Sequence, residues 1–274
     1  MTADLHIHTT ASDGRVTPQN ILKHALEAGL SYISITDHDT VNGLLDLYQG
    51  ITDKNNDISI IPGIEFSTDL PKNEVHILGY HIDVYHLELR EQLDILTAHR
   101  HERVKQIIHK LKQLGYVIDY LRVIELAQDA TSIGRPHIAR ALVEKGYFST
   151  VAEVFAVLLD KNGSAYVPHY KLNPSQVITL IKKAGGIPVL AHPGLVRDDS
   201  IVLELIHNYG ILGLEVYHPA HSQLQTEVYL EMANRYQLFV TGGSDFHGIP
   251  TRFPPKLGVF TIPATLAKKL RHKK

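Results

Sequence analysis

The sequence predicts an α/β fold built on a parallel sheet, open or closed into a barrel. Two observations carry this reading: short apolar strand candidates alternate with amphipathic helices, and residues able to bind a metal fall at the strand ends. A third, a long stretch with helical patterning only, predicts an insert in the middle of the chain.

The first strand candidate is "ADLHIH", residues 3–8. "TPQNILKHALEAGL" follows as a helix, with Thr17 placed to cap it and Pro18 at its first position. Ile21, Leu22, Ala25 and Leu26 share one face before Gly29 ends it. "YISITDH" (32–38), "ISIIPGIEFS" (58–67) and "VHILGYHI" (75–82) read as further strands. Between 87 and 172 the alternation stops. "LELREQLDILTAHRHERVKQIIHKLKQLG" reads as one long helix, and "RPHIARALVEKG" and "TVAEVFAVLLDKNG" as two shorter ones. "NPSQVITLIKKAGG" then repeats the first helix's design, with Asn173 as cap, Pro174 in the first turn and Gly185 and Gly186 as terminators. Strands resume at "IPVLAHP" (187–193), "LGLEVYH" (212–218) and "LFVTGGSDFH" (238–247), and the tail "KKLRHKK" reads as a solvated terminus.

Composition narrows the chemistry. With 274 residues, 44% of them hydrophobic, the chain is long enough for a sizeable core. The 27 basic against 29 acidic residues leave no global basic field for holding nucleic acid, so any phosphate must be bound locally. There are no cysteines, which removes disulfides and thiolate ligands and leaves a metal only imidazole and oxygen donors. No apolar stretch approaches the ~20 residues of a membrane helix, and no signal-like segment opens the chain, so the expected location is the cytoplasm and no membrane contact is expected.

The unusual number is 18 histidines. Residues i and i+2 of a strand share a face, so His6 and His8 can present two imidazoles to one ion, as Asp245 and His247 can from the last strand. Asp13, His38, Glu65, His76 and His192 also fall in or just after strands. Glu65 is the sharpest of these, because a carboxylate in so apolar a strand is costly to bury unless it is paired or metal-bound. Together these nine point to a metal cluster.

"DLHIHTTASDG", "ITDHDT", "PGIEFS", "AHP" and "SDFH", in this order, resemble the PHP superfamily, named for polymerase and histidinol phosphatase domains. "GRPHIARALVEKG" and "GLEVYHP" look like its branch of small nucleotide phosphoesterases. The resemblance implies a distorted (β/α)7 barrel whose site is capped by a helical insert, dividing the chain into 1–97, 98–175 and 176–274. It implies three metal positions. His6, His8, Glu65 and Asp245 would hold the first; Glu65 would bridge to a second completed by His76 and His192; Asp13, His38 and His247 would hold the third. "NEVHILGYHID" also offers His81 in place of His76.

Six imidazoles and three carboxylates with three divalent ions would leave about +3, a charge that attracts phosphate, and close metals lower a water's pKa from ~15.7 toward neutrality. The expected cofactors are two or three divalent ions, manganese, iron or zinc. The expected reaction is hydrolysis of a nucleotide phosphomonoester, such as AMP or a 3',5'-bisphosphonucleotide, by hydroxide attack on phosphorus. Arg135 would clamp phosphate from the insert, His137 would add a hydrogen bond or a proton, and His218 would bind phosphate or protonate the leaving oxygen. Asp37 or Asp39 would orient His38, and Tyr116, Tyr166, Tyr170 or Tyr217 could stack a base.

The alternatives are 5'-3' cleavage of short 5'-phosphorylated RNA or DNA, a histidinol-phosphatase-like enzyme, a metal-dependent amidohydrolase, and a non-catalytic metal-binding module. The expected partner is a phosphorylated small molecule or a short single strand, and no protein partner is implied.

Overall fold

Pro62 decides the architecture of the first half. In the computed structural model, which describes residues 1–50, 58–70, 74–127 and 132–270, the apolar run 58–67 is two strands rather than the single one expected. Ser59–Ile60 (β3) pairs with Leu30–Ile35 (β2), whereas Gly63–Asp69 (β4) pairs with Glu74–Tyr80 (β5). A proline cannot donate to a ladder, so the pairing breaks there and the chain changes sheets.

The remaining strands are Thr2–Ile7 (β1), Ile187–Leu190 (β6), Gly213–Tyr217 (β7), Phe239–Gly242 (β8) and Ile262–Pro263 (β9). They form two sheets, ordered β3-β2-β1-β9 and β4-β5-β6-β7-β8. Single bridges, Ile7 to Phe246 and His38 to Glu65, join the sheets along both seams.

The expectation of a parallel sheet holds only in part: β5 runs antiparallel to both β4 and β6. This reversal sets His76 and His81 at opposite ends of the strands. His76 lies near the start of β5, opposite Ser67, so it stands at the same end as the C-termini of the parallel strands. His81 follows Tyr80, which pairs with Gly63 at the opposite end.

Helices Pro18–Glu27 (α1), Asn42–Gly50 (α2), Pro174–Lys183 (α7) and Gln223–Arg235 (α10) contribute to the larger core with Ile33, Ile64, Phe66, Ile77 and Leu214. Thr17 and Asn173 cap α1 and α7 as their sequences predict. The middle of the chain is helical: Leu87–Gln113 (α3), Tyr120–Leu126 (α4), Arg135–Glu144 (α5) and Val151–Val154 (α6), which continues as a π-helical turn over Phe155–Leu159.

At 1.5 Å per residue α3 is about 40 Å long, and it serves two cores. Leu89, Leu93 and Leu96 belong to the larger one; Val104, Ile107 and Leu111 belong to a second, with Ile138, Leu142 and Leu158. The expected boundary at 97/98 therefore falls inside a continuous helix, in the interval where core membership changes. The chain continues through Pro193–Val196 (α8), Asp199–Glu204 (α9) and Ala264–Lys269 (α11). Residues 271–274 of the basic tail lie outside the described residues. No helix among the described residues is long and apolar enough to cross a membrane.

The β1/β8 seam depends on Gly243. A Cβ there would lie 2.3 Å from the His6 backbone nitrogen and 2.4 Å from His6 Cβ, so only glycine lets the two strands meet. Gly243→Ala is expected to cost about 1–3 kcal/mol. The melting midpoint of the metal-free chain should fall by roughly 2–4 °C per kcal/mol lost; an unchanged midpoint would show that the seam has slack.

Candidate metal centre

The two bridged seams bring the strand ends together, and with them all nine residues the sequence singled out. His6 and His8 leave the end of β1 with their Nε2 atoms 3.1 Å apart. Glu65 Oε2 lies 3.3 Å from His6 Nε2 and 3.2 Å from His8 Nε2, and Asp245 Oδ1 lies 3.5 and 3.2 Å from the same atoms. The other oxygen of Glu65 faces away from this group, 2.9 Å from His76 Nδ1 and 3.0 Å from His192 Nε2. A third group forms around Asp13, whose Oδ1 is 3.3 Å from His247 Nε2 and 3.8 Å from His8 Nδ1; His38 completes it. His38 Nδ1 also sits 3.0 Å from Glu65 Oε2, so it borders two groups.

These residues fit divalent ions. His8 Nδ1, His38 Nδ1 and Glu65 Oε2 are buried without a hydrogen-bond partner, an arrangement that is costly unless something else occupies their lone pairs. The donors are nitrogen and oxygen only, the set that manganese, iron and zinc accept.

Protons show where positive charge is wanted. Burial opposes a charge on His8, yet Asp245 and Glu65 push its pKa up to about 9. His76 likewise rises to about 10 against its burial, mainly through Glu65. Burial would raise Glu65, but His38, His6 and His76 hold it well below the usual carboxylate range, and histidines do the same for Asp13 and Asp245.

Beside the cluster opens a cavity of about 370 Å³. Asp13, His38 and His76 contribute to one wall; Arg100, Arg103, Arg135, Lys161 and Lys171 line the rest, with Tyr166 and His169. Arg103 is buried, and burial together with Arg135 and Arg100 lowers its pKa to about 10, the mark of cations crowded without enough counter-charge.

Arg135 begins α5, donates to the carbonyl of Leu159 at 3.0 Å and lies over the rings of Phe155 and Tyr166, so it is held in the cavity wall. His218 is buried with Nε2 3.5 Å from Asp245 Oδ2. Its Nδ1 accepts from the backbone N–H of Ala220, which leaves the proton on Nε2, facing the cluster.

Two expectations change. His137 is not poised as a proton donor: its Nδ1 accepts from Gly134 N–H at the start of α5, and burial lowers its pKa to about 4. Neither do Asp37 and Asp39 orient His38. Asp37 accepts from Thr9 N, Thr9 Oγ1 and Ser12 Oγ, which ties down the loop after β1. Asp39 accepts from Ser67 N and pairs with Arg100. Of the four candidate stacking tyrosines, Tyr166 alone lines the cavity.

Sequence reasoning missed Glu215, Glu74, Arg252 and, apart from Arg135, the cationic wall. Glu215 is fully buried and touches His6 and His192; a carboxylate inside the apolar "LGLEVYH" was the available signal. Glu74 lies 3.6 Å from His76 Nε2 and accepts from Lys171 Nζ at 2.6 Å. Arg252 pairs with the outer oxygen of Asp245.

Known proteins agree with this geometry. A PHP domain model matches residues 4–169. The chain is 34% identical over 251 residues to a 5'-3' exoribonuclease Rnm of Salmonella typhimurium, covering 89% of this chain and 84% of the relative. It is 30% identical over 248 residues to a 3',5'-nucleoside bisphosphate phosphatase of Chromobacterium violaceum, covering 89% and 86%. The solved structure of a candidate metal-dependent phosphoesterase from Bifidobacterium adolescentis superposes with a TM-score of 0.87 at 30% identity, covering 98% of this chain and 94% of that one.

The raised histidines and lowered carboxylates give the metal-free protein a definite pH profile. Stability from His8 and His76 is complete below about pH 6.5 and is lost as pH rises through about 9 and 10. Stability from Glu65, Asp13 and Asp245 is lost on acidification below the ordinary carboxylate range. Chelator-treated protein should therefore melt at progressively lower temperature from pH 7 to 10, and manganese should abolish that decline. A chelated protein with a flat melting profile over this range would contradict the charge assignment.

Proposed function

The chain belongs to the PHP domain family, and we propose that its centre hydrolyses phosphate esters of nucleotides. The carrying observation is the pairing of a buried nitrogen and oxygen cluster with a wall of arginines and lysines across one cavity of about 370 Å³. One side suits divalent ions; the other suits the phosphate they act on.

We take β1, β2 and β4 to β8 of the two bridged sheets as a distorted (β/α)7 barrel, with β3 and β9 at its edges, and residues 98–175 as its cap. His6, His8, Glu65 and Asp245 would hold one ion, Glu65, His76 and His192 a second, and Asp13, His38 and His247 a third, with manganese, iron or zinc as the occupants that this donor set suits. Ions held there would supply Lewis acidity toward phosphoryl oxygens and lower the pKa of an attacking water.

The chain's own groups do the rest. Arg100, Arg103 and Arg135 bind the phosphate and balance charge developing on its oxygens. Lys171, held beside Glu74, adds a further cation at the rim. His218 keeps its proton on Nε2, next to Asp245, where it can donate a hydrogen bond to a phosphate oxygen. The buried floor, His6, His8 and Glu65, keeps bulk water away.

A second reading, removal of nucleotides from a 5'-phosphorylated strand, has its own observation. Beyond Arg135 the site continues into an outer cavity of about 470 Å³ that shares Glu74, Arg135 and Lys161 with the inner one and adds Asp160 and Asn162. That is room for the nucleotide after the first.

Manganese-loaded protein should release phosphate from a 3',5'-bisphosphorylated adenosine, and His8→Ala should abolish release and metal uptake together. Arg135→Ala should keep its metal but raise KM by roughly 10- to 100-fold, the loss expected for a charge-assisted bond. Product masses from a 5'-phosphorylated oligoribonucleotide, run in parallel, distinguish the two readings: mononucleotides identify the exonuclease, and an intact chain that has lost only phosphate identifies the phosphatase. Fully metal-loaded protein inactive on both substrates would sink the proposal.

A further inference from the structure

β7 carries none of the nine ligand residues, yet one of its side chains reaches two of them. Glu215 is fully buried, and its Oε1 accepts from His6 Nδ1 at 2.9 Å. Its Oε2 accepts from the backbone N–H of His192 at 2.8 Å. β1 and β7 belong to different sheets, so this carboxylate crosses the interior to tie a ligand of one sheet to a ligand turn of the other.

Both ends of that tie matter. A carboxylate accepts and does not donate, so the His6 Nδ1 facing it must carry a proton. The lone pair available for an ion is then on Nε2, the atom that faces Glu65 Oε2 at 3.3 Å, His8 Nε2 at 3.1 Å and Asp245 Oδ1 at 3.5 Å. At the other end, His192 has φ +27°, a backbone conformation that a residue with a side chain keeps only when its surroundings impose it. The bond from His192 N–H to Glu215 is part of what imposes it.

We propose that Glu215 is the positioning residue of the metal centre, selecting His6 Nε2 as the coordinating atom and holding the His192 turn. The proposal rests on the metal-centre reading above and adds to it a residue that never meets the ion. It has a consequence that mere burial would not have. Glutamine matches glutamate in shape but offers one acceptor oxygen for two donors. If its oxygen keeps His192 N–H, its NH₂ meets His6 Nδ1 and forces the ring proton onto Nε2, where the ion should be. If its oxygen keeps His6, the NH₂ opposes His192 N–H. Aspartate is shorter but keeps both acceptors.

The test uses the full chain loaded with zinc, which is diamagnetic, and histidine labelled with nitrogen-15 in the ring. Wild type should show His6 protonated at Nδ1, with that proton shifted downfield and protected from exchange. Glu215→Gln should lose the resonance and bind zinc 10- to 100-fold more weakly in chelator competition, and Glu215→Asp should recover most of the affinity. Zinc affinity at the wild-type level in Glu215→Gln, with the His6 resonance kept, would overturn the role of Glu215 alone. A wild type that takes up no zinc or manganese would overturn the metal-centre reading and this proposal with it. Should Glu215→Gln fail to fold, the wild-type spectrum decides, because a His6 protonated at Nε2 overturns the assignment.

Discussion

Everything at the mouth of this fold answers to one constraint: Glu65 is an ionised carboxylate buried to 1% exposure. An isolated charge in that position would be prohibitively costly, so it must be surrounded by positive charge. Five imidazoles, from His6, His8, His38, His76 and His192, approach within 3.3 Å of its two oxygens. His6 and His76 lie in β1 and β5 and the other three just after β1, β2 and β6, and no local folding unit holds more than two of them. The sheet order is what delivers them, including the reversal of β5, without which His76 would face the wrong end.

The backbone around the cluster is bent to serve it. Asp39, His192 and Asp245 adopt positive φ, at 51°, 27° and 51°, although none is glycine. Such residues cost of order 1–3 kcal/mol each and persist only when neighbours over-determine them. The neighbours are identifiable. Asp39 N–H donates to Glu65 O, His192 N–H to Glu215, and Ser244 N–H, just before Asp245, to the buried Asp4 at 2.8 Å. Each of these three turns is thus pinned by a group on a neighbouring strand.

Much of this was legible in the sequence, and the failures have physical causes. The clustered residues could be read because strand periodicity fixes which side chains share a face, and because histidines and an acid inside apolar runs are expensive without a reason. The helix starts at Thr17 and Asn173 could be read because capping is local. The antiparallel β5 could not: "VHILGYHI" has the same alternation in either direction, and only the partner strands decide. The split at Pro62 was visible as a proline but not as a change of sheet. Arg100 and Arg103 were hidden for another reason. Within "HRHERV" they look like any solvated face of a long helix, and only the docking of α3 over the cluster turns them inward.

That docking is also where binding and metal chemistry meet. α3 buries its first half in the core of the sheets and its second half in the core of the insert, so the two halves of the site share a rigid rod. At the changeover, Arg100 reaches down to Asp39, which neighbours His38 and accepts from Ser67 on β4. One guanidinium therefore faces the cavity and braces the loop that carries His38. The proposed phosphate contact at Arg100 would therefore fall on a group already tied, through Asp39, to the loop that carries His38 and to β4.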